Sequence, residues 1–269
     1  MAYTIGFDFG TNSVRALIVN LSNGEELGTG VFTYETGDNG VILDSSDHNL
    51  ARQDPEDYLR GLPIASRLAL VAAQNNSVGF SSDQIIGIGV DATGSTPMPI
   101  DEQCRSLTTH NRFRENPNAY AWLWKDHTSY AEAAEITALA EQEHPEYLAK
   151  CGGTYSSEWF FSKILHCLRV DPDLCDAAYT WVEICDWIPA VLTGVTSPDQ
   201  IKRGRCSAGH KAMFDTKWGG LPAQAFLSKL DSKLGELRGR LYSDTYTVDT
   251  AAGRLTEPAI TNVFPIDLR

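Results

Sequence analysis

The sequence has few basic residues, and this shortage limits the partners that it can have. Lys and Arg number 22 against 35 Asp and Glu, which gives the 269-residue chain a formal net charge of −13 and a pI near 4.8. Nucleic acids and anionic membranes are bound through basic surfaces. We therefore expect neither a nucleic-acid nor a membrane partner, and any phosphate binding must come from a local arrangement of groups.

Several sequence motifs are also missing. No apolar run approaches the ~18 residues that a membrane span requires, and no basic segment precedes the first apolar stretch, so we expect a cytoplasmic protein. The six cysteines form no CxxC pair and the six histidines no HExxH motif, which leaves no zinc or redox signature. The chain also has neither a Walker phosphate-binding motif nor a dinucleotide-binding GxGxxG motif at the start of a helix.

Residues 3–19 carry the most informative pattern. Ile5, Phe7 and Phe9 alternate with Gly6 and Asp8, and a second apolar run follows at residues 14–19. Between the two runs lie four turn-forming residues, Gly10, Thr11, Asn12 and Ser13. This pattern predicts a β-hairpin. Because Gly10 can adopt a positive φ at no steric cost, the turn can present backbone N–H groups and two hydroxyls in one anion-binding concavity.

The predicted hairpin suits the phosphate tail of a nucleotide together with its metal ion. Asp8 places a carboxylate beside the concavity, which favours Mg²⁺ carried on phosphate over an anion alone. We therefore predict Asp8 as the metal ligand. The predicted phosphate contacts are Gly10, Thr11, Asn12, Ser13 and Arg15, of which Arg15 either neutralises charge or braces the hairpin. The alternative is a surface hairpin without a ligand, since turns of this composition are common.

Three antiparallel strands open the predicted fold. The dipeptide Asn23-Gly24 is typical of a tight turn, and the apolar positions at 26–34 continue as a strand. A helix follows, for which Asp54 is the predicted N-cap residue and Pro55 the first helical residue.

The chain then returns to the sheet. Residues 84–91 form a short apolar run after the helix, which predicts a buried parallel strand that ends at Asp91, and residues 97–101 predict another strand. This order predicts an α/β fold of the ribonuclease-H-like (actin-like ATPase) class, in which a mixed sheet opens with antiparallel strands and is flanked by helices. A Rossmann-like sheet is the alternative, and the opening hairpins disfavour it.

The second half of the chain is predicted to be mainly helical. The predicted elements are a long helix at 128–150, a helix that follows an N-cap signal at 156–158, a strand at 181–185, a helix at 186–194 and a polar loop at 197–211. No repeat, low-complexity tract or linker separates these elements, so the sequence indicates one lobe.

With these motifs in place, the sequence is similar to a known family. Asp8, Gly10, Thr11, Ser13 and Arg15 together resemble the first phosphate motif of the FGGY carbohydrate kinases, which belong to the actin-like ATPase superfamily. Within that family the chain resembles the L-ribulokinases in five blocks, at 89–96, 123–127, 156–159, 185–187 and 206–211. The resemblance covers most of residues 3–215. Xylulokinases and glycerol kinases share the first motif but not these blocks.

The resemblance implies that ATP, with Mg²⁺, donates a phosphoryl group to the 5-hydroxyl of L-ribulose, a step of arabinose catabolism. It also implies substrate contacts from Asp91, Ala92, Trp124 and Lys211. A ketopentose needs hydrogen-bonding groups and an apolar wall, which Lys211 and Trp124 can supply, and the small Ala92 lets the backbone approach closely. A core tryptophan and a solvated lysine are the alternatives for these two. Asp126 is expected to be a structural cap.

The chain departs from the family pattern towards its end. The base aspartate of the family lies in a Gly-x-x-Asp-Ala-His type segment that does not occur here, and neither Asp249 nor Asp267 has its flanking residues. We therefore expect residues 1–269 to form the N-terminal lobe, with the C-terminal nucleotide-binding lobe absent, the catalytic base unidentified and this lobe alone inactive. Another sugar kinase of the family, such as a xylulokinase, or an actin-like ATPase that is not a kinase are the alternatives. A homo-oligomer is compatible with the sequence.

Overall fold

The computed structural model describes residues 1–265, in which short strands and many helices surround one larger sheet. The strands are β1 (Tyr3–Phe9), β2 (Ser13–Asn20), β3 (Glu26–Thr33), β4 (Ile42–Leu43), β5 (Ala51–Gln53), β6 (Ile85–Ala92), β7 (Pro97–Ile100), β8 (Ala121–Trp122) and β9 (Thr180–Glu183). The α-helices are α1 (Pro55–Asn76), α2 (Tyr130–Glu143), α3 (Pro145–Ala149), α4 (Phe160–Val170), α5 (Pro172–Ala177), α6 (Ile184–Leu192), α7 (Arg205–Lys211), α8 (Gln224–Leu230), α9 (Ser232–Leu237) and α10 (Glu257–Val263).

The largest sheet is mixed and has the strand order β3-β2-β1-β6. β2 is antiparallel to both of its neighbours, β1 and β3, whereas β6 is parallel to β1. This arrangement confirms the predicted opening by antiparallel strands and the return of a parallel strand after the helix. The predicted burial of that strand is wrong, because no residue of β6 is buried and Ile86 is 72% exposed. Two smaller sheets, β4-β5-β8 and β7-β9, lie outside it.

Helix α1 covers one face of the largest sheet and begins at Pro55, as predicted. A Cβ atom at Gly28 would lie 2.3 Å from the carbonyl oxygen of Ala69, and one at Gly30 would lie 2.1 Å from that of Ala65. These distances leave no room for a side chain. The two glycines of β3 therefore allow the helix backbone to approach the sheet, and the opposite face of the sheet stays open.

Two hydrophobic cores support the described part of the chain. The first lies between the largest sheet, α1 and α6, and contains Phe7, Phe9 and Tyr58. The second lies among the helices of the later half and contains Trp122 and Trp181, whose rings meet edge to face at 6.0 Å. Adjacent residues of β8 and β9 belong to different cores, since Ala121 and Val182 lie in the first core.

Two predicted helices begin or end elsewhere. The helix predicted at 128–150 is divided into α2 and α3 at His144 (φ −145°, ψ 59°), because the following Pro145 disfavours a helical backbone in the residue before it. The helix predicted from an N-cap at 156–158 begins only at Phe160. The hydroxyl of Ser156 accepts the N–H of Glu158 (3.1 Å) and so closes a turn that precedes the helix.

The later predictions are partly correct. The strand and the helix predicted at 181–185 and 186–194 exist as β9 and α6, shifted by one or two residues towards the N-terminus. The polar loop predicted at 197–211 is wrong at its end, because residues 205–211 form α7. Gly, Ser and His have low helix propensity, but Ala208 is buried in the second core and the N–H of Arg205 donates to the carbonyl of Tyr246 (2.8 Å). Tertiary contacts thus stabilise this helix.

Candidate active site

Two aspartates mark the carboxyl ends of the paired strands β1 and β6. Asp8 and Asp91 are direct partners in the parallel register, and both are exposed. Side chains at paired positions of a sheet point to the same face, which here is the open face, while the neighbouring Phe7 and Phe9 are buried on the α1 face. The two carboxylates therefore stand side by side at one edge of the sheet.

A groove of about 720 Å³ runs along the open face beside these carboxylates. Asp8, Asp91 and Arg15 line it, and Arg15 is the register partner of Asp8 on β2. Glu26 lines it as well, so the groove combines three negative groups with one positive group. Trp124 and Lys211 do not line it, so the predicted site residues fall into two neighbouring groups.

The hairpin turn exists as predicted, but its first residue does not adopt the predicted backbone conformation. Gly10 lacks the positive φ that the turn was expected to need, and a Cβ atom there would meet only the carbonyl oxygen of Ser13 at an ordinary 3.4 Å. The N–H of Gly10 donates to that same carbonyl (2.9 Å), so this N–H is used inside the turn. The N–H groups of Thr11 and Asn12 find no acceptor within residues 1–265, and they are the donors that remain for an anion.

A buried glutamine holds the turn from below. Gln53 is 1% exposed, and its amide nitrogen donates to the carbonyls of Thr11 (2.8 Å) and Gly10 (3.4 Å). Its own carbonyl accepts the hydroxyl of Tyr58 (2.7 Å). The sequence analysis missed Gln53, because its role depends on β5 lying beneath the hairpin. This network fixes the turn without using the hydroxyl of Thr11.

The remaining predicted phosphate contacts lie at the rim of the turn. The side-chain amide of Asn12 donates to the carbonyl of Asn39 (2.8 Å), and the carbonyl of Asn12 accepts the N–H of Tyr34 (3.0 Å). Ser13 begins β2 and is half-buried. Asn12 therefore braces the turn against the following loop, and its role towards phosphate stays a prediction.

Trp124 is not a core residue, which excludes the alternative considered for it. Its side chain is 42% exposed, and its indole N–H donates to the hydroxyl of Thr11 (3.0 Å). This hydrogen bond joins the hairpin to the segment after β8. Asp126, by contrast, is fully buried, forms an ion pair with Arg52 and accepts the N–H of Thr128 (3.2 Å), as expected of a structural cap.

Lys211 reaches the loop that follows β6. A Cβ atom at Gly94 would lie 1.9 Å from the Nζ atom of Lys211, so the ammonium rests directly on this glycine. The loop itself is tied to the hairpin strand, because the N–H of Thr93 donates to the carbonyl of Phe9 (3.0 Å). Ala92, at the end of β6, is paired with Phe9. Lys211 is only half-buried, and its ammonium contacts the loop rather than standing free in solvent.

Two buried charged residues support this loop, and the sequence analysis did not identify either as part of the site. Lys163 in α4 is 0% exposed, and Glu183 at the end of β9 is 4% exposed. One carboxylate oxygen of Glu183 accepts the N–H of Thr96 (2.7 Å), whereas its other oxygen, Oε1, has no partner within residues 1–265. Burial lowers the pKa of Lys163 and raises the pKa of Glu183, the latter against the opposing charges of Lys211 and Lys163.

We refer below to two sides of this site. The phosphate side consists of Asp8 and residues 10–15. The sugar side consists of residues 91–96, residues 122–124 and Lys211. Trp124 and Thr11 join the two sides through their hydrogen bond, and the N–H of Thr93 joins the loop of the sugar side to the carbonyl of Phe9.

The residues present suit a magnesium ion better than a transition metal. Among residues 1–265 no three His, Cys, Asp or Glu side chains come together as a metal cluster. Protein-held zinc needs such a cluster, whereas Mg²⁺ is commonly held by one or two carboxylates, water and substrate phosphates. Asp8, with Asp91 beside it, offers that donor set.

Of the two late aspartates, only Asp249 lies among the described residues. Asp249 lies in an exposed turn, where its carboxylate accepts the hydroxyl of Thr247, and this hydrogen bond lowers its pKa. Asp267 lies outside the described residues.

No helix within residues 1–265 has the length and apolar character to cross a membrane.

Comparison with solved structures shows which fold this is. The chain superimposes on a xylulose kinase from Rhodospirillum rubrum with a TM-score of 0.70 at 18% identity, covering 99% of this chain and 47% of that one. It superimposes on Plasmodium falciparum glycerol kinase with ADP with a TM-score of 0.70 at 13% identity, covering 98% and 46%. The fold is therefore that of the actin-like ATPases, as found in sugar kinases.

Sequence comparison narrows this class to one family. The model of the FGGY family of carbohydrate kinases, N-terminal domain, matches residues 3–219, and this chain belongs to that family. It is 43% identical over 256 residues to a ribulokinase of Vibrio parahaemolyticus and 38% identical over 259 residues to one of Shouchella clausii. These matches cover 95% and 94% of this chain but 44% of each relative, so the chain spans less than half the length of the curated relatives.

Proposed function

We propose that this chain forms the sugar-binding and phosphate-binding lobe of an ATP-dependent kinase that phosphorylates L-ribulose at its 5-hydroxyl. The observation that carries the proposal is the direct contact between the phosphate side and the sugar side, made by the hydrogen bond from Trp124 to Thr11. The identity with proteins named ribulokinase supports this sugar over other ketopentoses.

Phosphoryl transfer depends mainly on positioning and on neutralising charge. On the phosphate side, Asp8 would hold the Mg²⁺ that accompanies ATP, and this ion would neutralise charge on the transferred group. The N–H groups of Thr11 and Asn12 and the hydroxyl of Ser13 would hold phosphate oxygens, and Arg15 would add a positive charge beside the groove.

On the sugar side, Trp124 would supply a flat apolar wall and Lys211 a donor for the sugar oxygens. Asp91 would accept hydrogen bonds from hydroxyl groups, and Ala92 would allow close backbone approach. We assign no proton acceptor for the 5-hydroxyl among residues 1–265. The proposed kinase therefore needs a second lobe for its base and for most of its nucleotide pocket. A cytoplasmic location remains a prediction.

An assay of ADP formation tests this function. The chain alone is compared with a chimera in which the C-terminal remainder of the Vibrio parahaemolyticus relative follows it. We expect no sugar-dependent ADP from the chain alone. We expect the chimera to turn over L-ribulose, with a kcat/KM at least tenfold above those for D-xylulose and glycerol. Preference of the chimera for D-xylulose would contradict the proposal, and so would sugar-dependent ADP formation by the chain alone.

A further inference from the structure

Lys163 occupies a position that is unfavourable for a cation, so its presence needs an explanation. It lies in the first turn of α4, where the helix dipole repels positive charge, and it is 0% exposed. A buried ammonium is stable only when its donors are satisfied. The structure shows three acceptors for it, and none of them is a carboxylate.

The three acceptors are backbone carbonyls from two separate segments. The Nζ atom donates to Ser95 (2.8 Å) in the loop after β6, and to Trp122 (3.1 Å) and Leu123 (2.8 Å) at the end of β8. An ammonium has three donors, and all three are used here. An apolar side chain at this position would leave the buried carbonyls of Ser95 and Trp122 without the donor that Lys163 supplies, whereas Leu123 would keep the N–H of Asp126 (2.9 Å).

Each of these segments carries one group of the sugar side. Ser95 follows Gly94, on which the ammonium of Lys211 rests, and Leu123 precedes Trp124, which reaches Thr11. Ser95 also has a positive φ of 58°, a conformation that costs energy for a residue with a side chain and therefore needs support from its surroundings.

The start of α4 holds the backbone of Lys211 as well. The hydroxyl of Tyr155 donates to the carbonyl of Lys211 (2.5 Å) and accepts the N–H of Phe161 (3.0 Å) in the first turn of the helix. The same helix end thus contacts the loop after β6, the segment after β8 and the end of α7.

We infer that Lys163 is a positioning residue for the sugar side, because its ammonium joins the loop at 93–96 to the segment at 122–123 and so sets where Lys211 and Trp124 stand relative to each other. The inference rests on the proposed function. Lys163 does not face the cleft, and it acts on substrate only through these backbone segments.

The test compares Lys163→Met with Ile164→Ala, a matched change of the next residue in α4. Ile164 is also 0% exposed but packs in the second core, so both variants are expected to lower the melting temperature. At a temperature where both are folded, L-ribulose is titrated calorimetrically into each. We expect Lys163→Met to bind at least tenfold more weakly than the unsubstituted chain, and Ile164→Ala to bind within twofold of it. Equal losses in the two variants, or no loss in Lys163→Met, would overturn the inference.

Hydrogen exchange separates this inference from the proposed function. In Lys163→Met, the N–H groups of Thr96 and Leu123 should exchange at least tenfold faster, whereas Ile164→Ala should leave their rates within twofold. If the unsubstituted chain binds no L-ribulose, the proposed function fails. If the exchange rates of these two N–H groups are unchanged in Lys163→Met, the inference about Lys163 is overturned, whatever the outcome for the proposed function. Lys163→Gln keeps two donors on a shorter side chain and should show smaller effects in both measurements. It replaces Lys163→Met in both measurements if that variant does not fold.

Discussion

The two sides of the candidate site are built in different ways. The phosphate side is one continuous hairpin, held by backbone pairing and by Gln53 beneath the turn, with Asp8, Asn12 and Arg15 exposed. The sugar side brings together three distant segments, and buried charges at Lys163 and Glu183 hold the loop at its centre. The hairpin is one continuous segment that depends on one distant side chain, Gln53, whereas the sugar side is assembled from three segments and depends on two buried charged side chains.

This difference predicts separable effects on catalysis and on sugar binding. Changes on the phosphate side should lower turnover with little effect on sugar affinity, except at Thr11, which bonds Trp124 of the sugar side. Changes on the sugar side should lower sugar affinity first. The following four predictions test that separation, and turnover is measured in the chimera described above.

Asp8→Ala is expected to have the largest effect. Loss of the proposed metal-side carboxylate should lower kcat roughly 10²- to 10³-fold, as when one electrostatic stabiliser of a transition state is removed. Because Asp8 does not support the sugar side, L-ribulose affinity should stay within twofold. Glu236→Ala, which removes an exposed carboxylate in α9, is the control. A parallel fall of sugar affinity and turnover would show that Asp8 has a structural role instead.

Lys211→Met should mainly weaken sugar binding. A hydrogen bond from a charged group contributes about 1.5–3 kcal/mol, so affinity for L-ribulose should fall roughly 10- to 100-fold. Lys217→Met, which changes an exposed lysine in the following turn, should leave affinity unchanged. Calorimetric titration measures both. Lys211 would be a mere surface residue if the two variants behaved alike.

Gly94→Ala should weaken sugar binding without unfolding the chain. The new Cβ atom would meet only the end of the flexible Lys211 side chain, so the ammonium must move while the backbone stays. We expect affinity to fall by roughly tenfold or less, because the charge is displaced but still present. Gly89→Ala, with nothing within 4 Å of its Cβ position, is the matched control in β6. A loss of stability in Gly94→Ala alone would argue against this account.

Trp124→Phe should have the smallest effect, because the aromatic wall remains and only one hydrogen bond is lost. The cost should be about 1 kcal/mol, or about fivefold in affinity. Thr11→Val removes the acceptor of the same bond and should cost about as much. The double variant should be no worse than either single variant, since the two changes break one interaction. Full additivity of the two effects would show that this bond does not join the two sides.

Much of the fold could be predicted from the sequence because its signals are local. Alternating apolar residues, the Asn23-Gly24 turn and Pro55 at a helix start each act over a few residues, and the mixed sheet followed from their order. The break at His144 was also locally encoded, by Pro145, but the alanine-rich pattern around it concealed the signal.

Local sequence pattern alone predicts only the hairpin residues of the candidate site, and the residues of the sugar side were predicted through the family resemblance. The hairpin appeared as one motif, whereas Gln53, Lys163 and Glu183 belong to the site only because the fold brings β5, α4 and β9 to its edge. A buried lysine has the same sequence signature as an exposed one. For Trp124 the sequence left a core position open, and the 42% exposure of its side chain excludes that position. For Lys211 the sequence left a solvated lysine open, and the structure places its ammonium against Gly94.

The central claim is that sugar recognition resides on this lobe, and calorimetric titration of the chain tests it most directly. L-ribulose is titrated first, with D-xylulose and glycerol as comparisons under the same conditions. The account predicts selective binding of L-ribulose, even if it is weak. Equal heats for the three compounds, or binding of none of them, would contradict it.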